Sequence, residues 1–416
     1  MAGVRSWPST EQAMALPVLI AGAGPVGLTI ALVLARAGVA VEVFERATEI
    51  AEDLRASTWH PPTLDMLDRI DPALTRRVIE AGLVARYTQY HDRREGLIAE
   101  FDMELLRGDT AHPYRIQCEQ FKYTRFLVEA LAGTGCATVH LGCSLAGLRQ
   151  SADTVEIDVE SPEGRVVRKG VFLVGADGVR SAVRQAAGIE FEGFTFPERF
   201  YTISTEFDFA QHFERLSLVN YVSDPDEWCV LLKVPGLWRV LFPTPADEPD
   251  EAVVSDAATE RRLQGVVARA VPYETRHRTI YRVHQRVARR YHAGRVALAG
   301  DAAHVNNPIG GMGMNGGLHD GVSLARRLIR IVRGEAPQPL LEHYERERRP
   351  IAIEYINANT GRNKKLMEER DPAVRRQSQG EMRRMADDPV LARDYLMRTS
   401  MITALRAAEA LAGADA

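Results

Sequence analysis

Residues 18–46 read VLIAGAGPVGLTIALVLARAGVAVEVFER. Residues 18–21 are a short continuous apolar run, the pattern of a strand buried on both faces. Gly22, Gly24 and Gly27 then give G-x-G-x-x-G. The first glycine permits a tight turn, the second lets backbone approach a pyrophosphate, and the third lets helix pack closely on strand. Pro25 stands near the helix start, where its missing N–H costs nothing. Leu28, Leu32 and Ala35 keep one apolar face, Gly38 stops the helix, and Val39, Val41 and Val43 make a second strand ending at Glu45. That carboxylate stands about twenty residues beyond the glycines, where it accepts from ribose hydroxyls. A lone G-x-G-x-x-G says little. With strand, helix, second strand and acid all in place, the stretch reads as a dinucleotide site in an α/β fold, against a ligand-free βα turn as the plain alternative.

The whole chain has 416 residues, room for two or three domains at roughly 150 residues each. Hydrophobic residues make up 45% and charged residues 26%, with a net charge of −4, a balance that favours neither nucleic acid nor an anionic membrane surface as partner. Four cysteines, Cys118, Cys136, Cys143 and Cys229, show no C-x-x-C spacing, so neither a disulfide framework nor a metal site is expected, and a reducing compartment is. Residues 13–35 carry no charge and invite reading as a membrane span. Gly22, Gly24, Pro25 and Gly27 split that run into pieces too short for about 30 Å of hydrocarbon, so no stable membrane insertion and a cytoplasmic location are expected. Residues 1–16 read as a poorly ordered extension.

Further along, a polar stretch at 47–58 holds Arg55, which either meets cofactor phosphates or is simply exposed. Helices are expected at 61–70 and 120–132, with Gln117 before the second and Gln120 at its start, as caps, surface residues or ligands. Strands are expected at 139–150, 154–159 and 166–174. The last runs into Gly175-Ala176-Asp177-Gly178, followed by Arg180, Ser181 and Arg184, where Asp177 is either a helix N-cap or a ligand residue. From 190 to 244 the texture becomes alternating and aromatic, with a Pro235-Gly236 turn, as in an antiparallel sheet that walls a pocket or merely forms a core. A helix over 255–270 and a strand over 279–283 follow. The third glycine-rich turn is GRVALAGDAAHVNNPIGGMGMNGGL at 294–318, a short apolar strand, Gly300-Asp301, and a helix opening near Asn315. Its N-terminus offers unpaired N–H groups to an anion. His304 in that turn reads more readily as a loop-fixing hydrogen-bonder than as a catalytic group.

Three turns in this order, G-x-G-x-x-G at 22–27, GADG with Arg180, Ser181 and Arg184 at 175–184, and GDAAH with P-x-G-x-G-x-N at 300–315, resemble the para-hydroxybenzoate hydroxylase family of single-component FAD-dependent aromatic monooxygenases. The resemblance covers roughly residues 17–350. It implies a Rossmann-like FAD-binding domain (17–185 and 277–350), an inserted, mostly antiparallel β-sheet substrate domain (186–276) and C-terminal helices (351–416). It also implies resident FAD and transient NAD(P)H, the latter without a domain of its own. By matching positions, Gly22, Gly24, Pro25, Val26 and Gly27 would cradle the FAD pyrophosphate, and Glu45 with Arg46 beside it would hold the adenosine ribose. Arg55 would reach the pyrophosphate and Gln120 would open the next helix against the cofactor. Asp177 would serve FAD and NAD(P)H, and Gly300 and Asp301 the ribityl chain. Gly311, Gly313, Met314 and Asn315 would present backbone and amide groups to the flavin ring, and Pro308 a carbonyl near the reacting edge.

The activity so implied is insertion of one atom of O2 into an electron-rich aromatic small molecule through a flavin C4a-hydroperoxide. The rivals are a reductase or dehydrogenase of the same fold acting on a quinone or prenyl substrate, and a flavin redox sensor without turnover. Ring attack calls for a base that makes a phenol more phenolate-like, and His212, Tyr201 and Tyr221 in the inserted sheet are its weak candidates. The charged C-terminal helices fit a homodimer contact or a solvated face equally well.

Overall fold

The computed structural model describes residues 16–412 apart from Ala51, Asp53 and Arg55, so the N-terminal extension and the expected role of Arg55 lie outside the described residues. Two sheets organise the fold. The first has six strands in the order His292–Ala293, Val296–Leu298, Phe172–Gly175, Val18–Ala21, Val41–Glu45 and Ala137–Leu141. All its pairings are parallel except that of the short edge strand His292–Ala293. The three central strands are buried along their whole length, which is why each reads as an uninterrupted apolar run. Helix Pro25–Arg36 covers this sheet with Leu28, Leu32 and Ala35 on its buried face, as the spacing predicts. Helix Met312–Val332 lies beside it. Added β-carbons at Gly317 and Gly321 would come within 2.9 Å of Val26 and 3.0 Å of Ile30, so the two helices pack as closely as they do because those positions carry no side chain.

The second sheet has eight strands: His304–Val305, His277–Ala288, Phe191–Thr205, Leu237–Thr244, Cys229–Val234, Val219–Ser223, Tyr87–Asp92 and Gly96–Asp102. It is antiparallel except where Val219–Ser223 runs parallel to Tyr87–Asp92. Membership therefore reaches past the stretch 186–276 on both sides: the hairpin Tyr87–Asp102 joins one edge and His277–Ala288 pairs along Phe191–Thr205. The expected strand 139–150 breaks at Gly142 (φ 69°), its first half joining the parallel sheet and its second, Ser144–Gln150, a three-stranded meander. The helix expected over 255–270 spans Asp256–Val266, capped by the Ser255 hydroxyl.

The eight-stranded sheet has two apolar faces. One carries Tyr201, Ile203, Trp238 and Val240, packed against Phe209 and against Leu263 of helix Asp256–Val266. The other carries Phe200, Tyr221, Trp228 and Val230 with Tyr90 and Phe101, and meets Ile309 of the third turn and Met382, Tyr395 and Met397 of the C-terminal helices. Those helices thus close the sheet from within the same chain. The fold is mixed α/β, with a helix-covered parallel sheet, antiparallel sheets and a helical C-terminal region. Among the described residues no helix is long and apolar enough to cross a membrane.

Candidate active site

The three glycine-rich turns meet at the carboxyl ends of adjacent parallel strands, the place where open α/β sheets bind ligands. Gly22 has φ +102°, and a β-carbon there would lie 2.3 Å from the Ala176 carbonyl oxygen of the second turn. One at Gly27 would lie 2.0 Å from the Gly22 oxygen. At Gly24 it would meet nothing within 4 Å, so this is the one glycine of the three that borders open space. The N-terminus of helix Pro25–Arg36 has no side-chain cap. Val26 links the first and third turns, its side chain filling the space left by Gly300 and Gly317. Arg184 ties the second to the third, donating to the Ala302 carbonyl at 2.9 Å and to that of Val179 at 2.8 Å.

The carboxylate of Glu45 accepts from Ala23 N–H at 2.9 Å and Ala47 N–H at 3.0 Å, which holds it at the rim of the first turn with further lone pairs open to hydroxyls. Arg46 beside it is exposed. Asp177 Oδ2 accepts from Val183 N–H at 3.1 Å while Ser181 supplies the N-cap, so Asp177 braces the short helix Ala182–Ala186 from outside. Its Oδ1 is buried without a partner. Burial raises the carboxyl pKa of Asp177 against the hydrogen bonds that lower it. Asp301 faces solvent in the GD turn.

The third turn ends at Gly311 (φ 68°), the N-cap of helix Met312–Val332, which has neither a side-chain cap nor an acid in its first turn. The N–H groups of Met312, Gly313 and Met314 at this terminus carry the positive end of the helix dipole. The Asn315 side chain is engaged within the protein. Its Oδ1 accepts from His60 N–H at 2.9 Å, and its Nδ2 donates to the Thr58 carbonyl at 2.8 Å and the Gly311 carbonyl at 2.7 Å, so the amide staples strand Thr58–Trp59 to the turn. The Pro308 carbonyl likewise accepts from Gly311 N–H at 2.9 Å, closing the turn.

Gln120 is half-buried at the head of helix Gln120–Ala132, its backbone N–H donating to the Ala56 carbonyl. Gln117, fully buried at the end of strand Arg115–Gln117, accepts from Thr58 Oγ1 at 3.2 Å and leaves Nε2 buried and unpartnered. It therefore has a buried donor to spare.

Of the three base candidates, the structure brings only Tyr221 to this crevice. Tyr221 lies on the sheet face that meets Ile309, its hydroxyl oxygen beside the Gly310 N–H and Arg115; burial raises its pKa. Tyr201 points to the opposite face, its hydroxyl 2.7 Å from Thr259 Oγ1 beneath helix Asp256–Val266, and His212 is exposed on that same side, stacked on Phe207 at 4.9 Å. Tyr201→Phe is expected to cost about 0.5–1.5 kcal/mol of stability for the lost hydrogen bond. Tyr201→Phe and His212→Ala should both leave turnover within about twofold of wild type, and a tenfold loss in steady-state NAD(P)H oxidation would return either residue to the site.

Several site residues escaped the sequence reading. His60 is fully buried and its Nε2 lies 2.9 Å from the Gly310 carbonyl, so the proton sits on Nε2 and Nδ1 is a bare, unpartnered acceptor. Burial, followed by the nearby Arg115, lowers its pKa to about 3 and keeps the ring neutral. His304 does fix its loop, donating from Nε2 to Asp320 Oδ2 at 2.6 Å, and Arg348 Nε holds Oδ1 at 2.8 Å. All three side chains are buried. Arg239 reaches from the sheet to Ser57 Oγ at 3.2 Å and the Leu54 carbonyl, steadying the loop before Thr58.

These residues fit FAD on their own geometry: open space at Gly24, an oriented carboxylate at Glu45, orphaned buried atoms on Asp177 and Gln117, and two uncapped helix N-termini facing one crevice. The FAD binding domain family matches residues 15–359. The chain is 32% identical over 401 residues to para-nitrophenol 4-monooxygenase of Pseudomonas sp. (strain WBC-3), covering 94% of this chain and 97% of that protein. It is 30% identical over 351 residues to 6-hydroxy-3-succinoylpyridine 3-monooxygenase of Pseudomonas putida (strain DSM 28022 / S16), covering 83% and 87%. The crystal structure of p-nitrophenol 4-monooxygenase from Pseudomonas putida DLL-E4 superposes with a TM-score of 0.89 at 31% identity, over 94% of this chain and 98% of that one. The chain therefore belongs to the FAD binding domain family and, within it, to the FAD-dependent aromatic monooxygenases.

Proposed function

We propose that this protein consumes NAD(P)H and O2 to hydroxylate a phenolic or heteroaromatic ring that lies between the third glycine-rich turn and the aromatic face of the eight-stranded sheet. The observation that carries the reading is that Tyr221 and His60 converge on Gly310, His60 on its carbonyl and Tyr221 on its N–H, at the foot of an uncapped helix on one side and an aromatic layer on the other. Bound FAD supplies the redox and oxygen chemistry. The chain's residues bind, orient and shield.

In this reading Gly22, Gly24 and Gly27 admit the pyrophosphate, Glu45 the ribose hydroxyls, and Asp177, Asp301 and Gln117 the remaining polar edge. The N–H groups of Met312, Gly313 and Met314 stabilise negative charge on the reduced ring, since dipole and unpaired donors act together where no acid opposes them. The C-terminal helices and the ring layer of Tyr90, Phe101, Tyr221 and Tyr395 exclude water. Four free cysteines fit a reducing, cytoplasmic setting. As functional units we take the parallel sheet with its helices for FAD, and the eight-stranded sheet, with the hairpin Tyr87–Asp102 included, for the ring substrate.

The reductase and redox-sensor readings are not favoured, because relatives matched over most of the chain are named monooxygenases. The test is NAD(P)H oxidation by the yellow holoenzyme against nitrophenols, chlorophenols and hydroxypyridine acids, with mass analysis of products. A product gaining one oxygen atom supports the reading; a ring compound returned reduced and without added oxygen overturns it. Gln117→Leu should weaken FAD binding about tenfold in a fluorescence titration, the worth of one donor to a polar edge.

A further inference from the structure

Arg115 is 3% exposed, and no carboxylate among the described residues pairs with it. Its Nη2 donates to the Thr399 carbonyl at 3.3 Å, it hydrogen-bonds the Tyr221 hydroxyl, and its Nε is buried without a partner. Thr399 ends helix Pro389–Thr399, so its carbonyl offers the partial negative charge of a helix C-terminus and no more. The other groups around the guanidinium are neutral: His60, held uncharged by burial, and the Tyr90–Tyr221 pair, stacked at 5.0 Å, with Tyr90 bonded to Tyr395 at 2.6 Å. A guanidinium is always charged, and a buried charge without its counter-charge is costly. Proteins keep such a group where a ligand completes it.

The strand Arg115–Gln117 shows where that ligand lies. Residues two apart on a strand share a face, and Gln117 turns toward Thr58 beside the Gly311 turn. Arg115 turns from the same strand face toward Tyr221 and the aromatic layer. One strand thus addresses the cofactor turn with an amide and the substrate side with a cation.

We propose that Arg115 is the anion anchor of the substrate site, so that the ring substrate binds as an oxyanion, a phenolate above all, with its charged oxygen on the guanidinium and Tyr221. This deepens the proposed function and rests on it for the substrate class. An anionic oxygen on the ring is also the substituent that makes ring carbons electron-rich, so binding and activation come from one contact.

The test reads binding alone, on oxidised holoenzyme without nicotinamide, through perturbation of flavin absorbance and fluorescence at mildly alkaline pH. The probes are matched pairs: p-nitrophenol against p-nitroanisole, and benzoate against benzamide. Wild type is expected to prefer the oxyanion of at least one pair. Arg115→Met should weaken that oxyanion at least about thirtyfold while changing its neutral partner less than threefold. Its melting temperature should hold or rise, because an apolar side chain replaces an uncompensated buried cation. Wild type preferring neither oxyanion overturns the proposal, and so does an Arg115→Met protein that keeps the preference or loses both partners of a pair alike. If Arg115→Met fails to retain flavin, Arg115→Lys decides: the preference should persist but shrink about tenfold, since the ammonium keeps the charge and loses the planar fork, and an unchanged preference overturns the proposal. Failure to form an oxygenated product would count against the proposed reaction and leave this binding result standing.

Discussion

Asp320→Ala is expected to cost about 3–5 kcal/mol, because it leaves the buried Arg348 cation without its partner. The carboxylate takes Arg348 Nε at 2.8 Å on one oxygen and His304 Nε2 at 2.6 Å on the other, with all three groups out of solvent. Its Oδ2 also lies 3.4 Å from the Gly300 N–H, so the same carboxylate anchors the GD turn to helix Met312–Val332. The variant should therefore shed flavin as it loses stability. Asp320→Asn keeps the shape but not the charge, and should fall between. Burial by itself pushes the Asp320 carboxyl up, but His304 and Arg348 together outweigh it and bring the pKa down to about 2. A folded pKa below the unfolded value of about 3.9 means that its stabilisation is fully present above that value and is lost as pH falls toward 2. Urea unfolding of holoenzyme between neutral pH and pH ~3 checks both statements. A loss under about 1 kcal/mol on Asp320→Ala would show that the triad relaxes into solvent.

Gly22→Ala and Gly24→Ala should separate fold from cofactor within one motif. At Gly22 an alanine must adopt φ +102° and push its β-carbon to 2.3 Å from the Ala176 oxygen, so backbone has to move at the junction of the first two turns. We expect at least a hundredfold weaker FAD binding, about 2.8 kcal/mol, together with a lower melting temperature in the apoprotein. At Gly24 the backbone is ordinary (φ −73°) and the added methyl meets nothing in the protein. Gly24→Ala should keep the apoprotein's melting temperature and still bind FAD at least tenfold more weakly, because the methyl occupies room meant for pyrophosphate. The ratio of flavin to protein absorbance after purification, with FAD titration of apoprotein, reads both. A Gly24→Ala protein that stays fully yellow would displace the pyrophosphate from this turn.

The sequence by itself determined the three strand-to-helix turns, the parallel sheet that carries them and the FAD chemistry they serve, because each depends on a backbone demand written within a few residues. A central parallel strand must be apolar on both faces, a turn at positive φ must be glycine, and an acid must end the second strand. Tertiary structure alone decided the rest. Alternation along a strand says that Tyr201 and Phe200 face opposite ways but not which way is the crevice; packing sent Tyr201 under helix Asp256–Val266 and kept Tyr221 beside Ile309. Asn315 matched a cofactor position, yet three buried backbone groups had to be satisfied and took its amide. Gln117 and Gln120 stand three residues apart and look alike in sequence; the end of a strand buried one, and the start of a helix left the other half-exposed. Asp320, His304 and Arg348, like Arg115 and Tyr221, are ordinary charged and aromatic residues until distant segments fold over them. Their roles come from desolvation, which belongs to the assembled interior and to no stretch of the chain.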